Sequence, residues 1–132
     1  MLLAWPGCGK GMFVIPECPR FGSETGLEHN RLLARTMALA TAHLHAHPHV
    51  TEVRKTGMIL AIELVKDEVH RLPYPWQERR GRIVYVHDLS RGVLLRPLRD
   101  VIYFMSPYAI TEDEIRFMAE VATEGIERAI AE

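Results

Sequence analysis

Residues 91–122, RGVLLRPLRDVIYFMSPYAITEDEIRFMAEVA, decide the fold of this 132-residue chain. Two short apolar runs, Val93–Arg96 and Val101–Met105, are separated by the turn residues PLRD and read as a pair of strands. Thr111 then opens a helix. Glu114 follows three residues later, the spacing at which each side chain covers the other residue's exposed backbone N–H. Ile115, Met118, Ala122, Ile126 and Ala129 recur at helical steps and form its buried stripe.

Upstream, the pattern predicts a helix from about Trp76 to Arg91, stopped by Gly92 in the left-handed conformation. The charged, proline-ended stretch from Lys66 to Tyr74 reads as a surface connection, and Thr51–Val65 as one strand in which Gly57 marks a bulge or a close backbone approach. Leu32, Leu33, Met37, Ala40 and Leu44 place an amphipathic helix from Leu27 to near His47, where Pro48 disfavours continuation. The order helix, strand, helix, strand, strand, helix predicts an α+β layer, with helices covering one face of a mostly antiparallel sheet. Residues 1–26 hold three prolines and five of the nine glycines without periodicity, and read as loop or tail.

Composition narrows the function classes. Sixteen basic and seventeen acidic residues argue against a nucleic-acid or anionic-membrane surface. No apolar run approaches a membrane span. Cys8 and Cys18, without a secretory signal, make a weak case for a disulfide and favour the cytoplasm. GCGKG at Gly7–Gly11 fails as a phosphate loop because Met12 stands where a hydroxyl is wanted. His43, His45, His47 and His49 suit a helix end better than a metal site, since His43 and His47 share a face that His45 leaves. Tyr74 and Trp76, flanked by prolines, read as loop anchors, and Arg79, Arg80 and Arg82 as a solvated helix face. Arg96 stands apart. A guanidinium at a strand end, before a proline, can grip a carboxylate through two parallel hydrogen bonds; the competing role is an ion pair with Asp100 or another carboxylate.

The words VRKTGMILAIELVKD, PYPWQERRG, RGVLLRPL, VIYFMSPYAIT and EVATEGIERA, in this order, resemble the C-terminal segment of class III PLP-dependent aminotransferases. Within that class they are most similar to the adenosylmethionine–8-amino-7-oxononanoate aminotransferases of biotin synthesis. The resemblance covers about residues 26–132 and implies the small C-terminal domain of a fold-type I enzyme, packed beside a large PLP-binding domain within a homodimer. It implies amino transfer from S-adenosylmethionine to 8-amino-7-oxononanoate. By the same resemblance the arginine of the RPL word, Arg96, binds the substrate carboxylate, and the tyrosine of VIYF, Tyr103, lies near the substrate pocket.

The departures carry expectations of their own. The family's Schiff-base lysine, its acidic partner for the pyridine nitrogen and its phosphate cup lie upstream of the matched segment, and Lys10, Lys55 and Lys66 do not occupy the lysine motif. The chain alone is therefore expected to hold no PLP and to be inactive, with no catalytic residue and no metal ligand assigned. Arg99 stands where the family usually has glycine, which strains the turn if that position needs φ > 0, and Ser106 stands where proline is common. Residues 1–25 match no part of the family; a frameshift, truncation or late start would leave a chain of this form. The alternatives are a split transaminase completed by a partner chain and a non-catalytic module that associates or dimerises.

Overall fold

The computed structural model describes residues 24–131. The glycine loop, both cysteines and Lys10 lie outside them. The first helix, α1, spans Glu24–Ala40 and buries Leu33, Ala34 and Met37 while leaving Leu32 and Leu39 in solvent. Its last turn tightens into a 3-10 segment, Ala42–Ala46, and the chain becomes extended at His47, as the following proline requires.

The expected single strand is instead two. Strand β1 (Val50–Thr56) and strand β2 (Ile59–Leu64) form an antiparallel hairpin in which Thr56 faces Ile59. Gly57, at φ +58°, takes the first central position of the two-residue turn, the position where a primed hairpin turn favours glycine. A Cβ there would meet nothing within 4 Å, so conformation and not a close approach explains this glycine. The bulge lies between Val50 and Glu52 instead.

The expected helix from Trp76 is also divided. A 3-10 turn, Trp76–Glu78, is separated from α2 (Arg80–Ser90) by Arg79, which sits at φ 49°. Gly92, at φ +81°, ends this helix as expected. Strand β3 covers Arg96–Leu98, later than the expected Val93–Arg96. Val93 donates its N–H to the Asp88 carbonyl, and Val93 and Leu95 point into the core, so residues 93–95 finish the helix exit before sheet pairing begins. Arg96 therefore starts its strand and does not end it. Pro97 is tolerated because β3 is an edge strand whose one neighbour is β4 (Val101–Met105).

The last helix, α3 (Glu112–Ala131), begins with the expected capping box. The Thr111 N–H donates to Glu114 Oε2 at 2.8 Å and the Glu114 N–H to Thr111 Oγ1 at 3.3 Å. The sheet order is β1-β2-β4-β3, antiparallel throughout, and the element order gains one strand over the expectation. Leu60, Ile62, Leu64, Ile102 and Phe104 fill the face beneath the helices and pack with Leu33, Met37, Ile115 and Ile126. The fold is α+β, as predicted.

Candidate functional site

Alternation along the strands leaves the other sheet face without helices among the described residues. Arg54, Ala61, Tyr103 and Arg96 form one row across it, because Arg54 pairs with Ala61, Ala61 with Tyr103 and Tyr103 with Arg96. The two residues singled out from the sequence are thus direct cross-strand neighbours. The small Ala61 beside Tyr103 leaves the row low on that side. Arg54 is occupied, with guanidinium nitrogens 3.6 Å from Glu52 and 3.5 Å from Glu63. Arg96 is exposed and makes no ion pair among the described residues; the alternative pairing with Asp100 is not formed. Ile59, Met105 and Leu98, all on this face, are also exposed.

The turn after Arg96 has the conformation that the glycine-to-arginine departure brought into question. Arg99 lies at φ 57°, the left-handed region that favours glycine. The Asp100 carbonyl accepts the Leu64 N–H at 2.8 Å and ties this turn to the end of β2. Burial pushes the Asp100 carboxyl up from its ordinary range, against the pull of Arg99.

Other expected features separate. Among the described residues no group of His, Cys, Asp and Glu is placed to hold a metal. His43 lies 3.0 Å from Thr123 Oγ1, His47 lies 3.5 Å from Glu127, and His49 Nδ1 lies 3.0 Å from the Tyr74 hydroxyl. Tyr74 anchors its loop in the core, but Trp76 is exposed. Arg80 departs from the solvated face that was expected: it is half-buried, pairs with Glu78 at 2.6 Å, donates to the Ala129 carbonyl and lies over the Tyr74 ring. Arg79 and Arg82 do face solvent.

Sequence reasoning missed Asp88. It is fully buried between α2 and α3, with Oδ1 3.2 Å from His87 Nδ1 and Oδ2 without a partner. Burial pushes its carboxyl up to about 6, opposed by His87 and assisted by Glu124. The one local signal was Gly125 on the facing helix, where a Cβ would lie 2.6 Å from Asp88 Oδ1.

This α+β arrangement is similar to a segment of solved transaminases. A thermostable omega transaminase from Pseudomonas jessenii aligns with TM-score 0.73 and 28% identity, over 80% of this chain and 24% of its own. A PMP-bound aminotransferase from Vibrio fluvialis aligns with TM-score 0.77 over 83% and 24%; at 24% identity it speaks for the fold alone. The resemblance narrows to adenosylmethionine-8-amino-7-oxononanoate aminotransferases. The crystal structure of the one from Methanocaldococcus jannaschii aligns with TM-score 0.75 and 31% identity, over 80% of this chain and 24% of its own. In sequence, the chain is 44% identical to the Geobacter sulfurreducens enzyme of that name over 82 residues, 62% of this chain and 17% of the relative. It is 37% identical to the Anoxybacillus flavithermus enzyme of that name over 106 residues, 80% and 23% respectively. The chain thus spans about a fifth of the length of the curated relatives it matches. No protein-family model matches it. No helix among the described residues is long and apolar enough to cross a membrane.

Proposed function

We propose that residues 26–132 act as the C-terminal small domain of a PLP-dependent transaminase that moves the amino group of S-adenosylmethionine to 8-amino-7-oxononanoate. Arg96 holds the carboxylate of the keto acid, and Tyr103 lies beside it along the substrate chain. One observation carries this reading: an arginine without an ion-pair partner among the described residues stands directly opposite a half-buried tyrosine on the uncovered sheet face. A guanidinium in that setting offers two parallel N–H donors to a carboxylate.

Transamination of this type rests on a lysine that binds PLP. The described residues do not suit that group. Lys55 donates to the Ala34 carbonyl at 3.3 Å, Lys66 is exposed after β2, and no lysine lines the cleft along α2 or the cleft beside the Arg99–Asp100 turn. No step through PLP is assigned to these residues. Amino transfer belongs to a lysine-bearing large domain, and the chain alone is inactive. The exposed Ile59, Leu98 and Met105 on the Arg96 face fit a surface that meets such a domain, or a second copy, within an oligomer.

Mixing the chain with a lysine-bearing large domain tests the reading. Restored amino transfer that is lost with Arg96→Ala is the expected result. Association without activity, indifferent to Arg96→Ala, would favour a module that only binds.

A further inference from the structure

The edge strand that carries Arg96 is three residues long and has a single strand neighbour, so the sheet alone holds it weakly. Helix α2 supplies the rest. Gly81, in its first turn, is buried against the β3–β4 turn. A Cβ added there would lie 2.0 Å from the Arg99 carbonyl oxygen, 3.0 Å from Pro97 Cβ and 3.2 Å from the Arg99 carbonyl carbon. Contacts with backbone at that range cannot be relieved by a side-chain rotation; one of the two elements must move. The other end of α2 is held. Asp88 meets Gly125 of α3, where a Cβ would also collide, and Val93 hangs on the Asp88 carbonyl. With α2 locked to α3, the displacement falls on the short edge strand.

We propose that Gly81 is a positioning residue for Arg96: the missing side chain lets α2 seat on the Pro97–Arg99 backbone and sets where the Arg96 guanidinium stands over the open sheet face. This rests on the carboxylate role proposed above for Arg96. It also accounts for a glycine inside a helix, where alanine would otherwise be preferred. The clamp does not depend on which side chain stands at position 99, because the colliding atom is the backbone carbonyl oxygen there.

The test uses the full 132-residue chain, isotope-labelled, with nonanoate as a carboxylate probe followed through the Arg96 Nε–H signal. In the unsubstituted chain that signal moves on titration, and backbone contacts between Arg96 and Tyr103 are seen as NOEs. Gly81→Ala is expected to keep the β1, β2 and α3 resonances, lose the Arg96–Tyr103 NOEs and bind nonanoate at least tenfold more weakly. Intact NOEs with affinity within twofold of the unsubstituted chain would overturn the proposal. Failure of the unsubstituted chain to bind nonanoate would refute the carboxylate role of Arg96, while the NOE comparison would still decide whether Gly81 sets the strand. Should Gly81→Ala not fold, Gly81→Ala with Arg99→Gly gives the turn freedom to shift, and the folded double variant is expected to show the displaced strand. An undisturbed Arg96 in that variant, or failure of both variants to fold, would reduce Gly81 to a stability role and overturn the positioning claim.

Discussion

Replacing Asp88 with asparagine should stabilise this protein at neutral pH and leave it nearly unchanged in mild acid. The carboxyl is fully buried, one oxygen has no partner, and burial raises its folded value to about 6 from an ordinary 3.8. The raised value fixes the sign. Below the ordinary value both states are protonated and ionisation costs nothing. As pH rises towards 6 the unfolded chain releases the proton first, so the folded state loses stability, and the loss is complete above the folded value. At 1.36 kcal/mol per pH unit, a rise from 3.8 to about 6 corresponds to roughly 3 kcal/mol at pH 7.5. Asparagine removes the ionisation but leaves its own amide short of partners, a cost of about 1 kcal/mol or more. The expected net gain is therefore about 1–2 kcal/mol at pH 7.5, shrinking towards zero near pH 4.5. Urea unfolding of both proteins at several pH values, followed by circular dichroism, measures the difference directly. His87 and Glu124 act on this carboxyl in opposite directions, and both effects are contained in its raised value. Parallel stability curves, or an Asp88→Asn protein less stable at pH 7.5, would refute the reasoning.

Arg99→Gly should stabilise the fold by roughly 0.5–1 kcal/mol, since relief of a left-handed non-glycine backbone outweighs the added freedom of the unfolded chain; a lower thermal midpoint would contradict it. Thr111→Ala should cost roughly 1 kcal/mol through loss of the helix cap, measured by urea unfolding. The two hydrogen bonds from Thr111 also hold the Glu114 carboxyl below its ordinary value, so the stability they add is present above that value and lost as pH falls through the depressed one. In Thr111→Ala, an NMR titration of Glu114 should show its pKa rise.

The parts legible in the sequence were those with local causes. The capping box of α3, the glycine stop after α2 and the strand Val101–Met105 each depend on a few adjacent residues, and all appear where expected. The β1–β2 hairpin was missed because its turn, Gly57–Met58, carries no polar turn residue and the apolar run continues through it. Arg79 broke the second helix without a sequence signal, since an arginine in the left-handed region is a tertiary outcome. Strand β3 began late because burial of Val93 and Leu95 in the core, with the Val93 N–H held by the Asp88 carbonyl, outweighed their strand propensity. Arg96 and Tyr103 still met, since the turn at Arg99 and Asp100 fixes the register across β3 and β4 wherever β3 begins. Asp88 was illegible because only the packing of two helices takes its carboxyl away from water.

The central claim is that Arg96 grips the substrate carboxylate, and a chimera tests it most directly. Residues of this chain replace the matching 82-residue segment of the Geobacter sulfurreducens relative, and amino transfer is measured with Arg96 intact and as Arg96→Ala. A charged hydrogen-bonding contact of about 1.5–3 kcal/mol predicts a loss of roughly 10- to 150-fold in kcat/KM for 8-amino-7-oxononanoate, with KM for S-adenosylmethionine little changed. An active chimera in which Arg96→Ala leaves kcat/KM for the keto acid untouched would contradict the account.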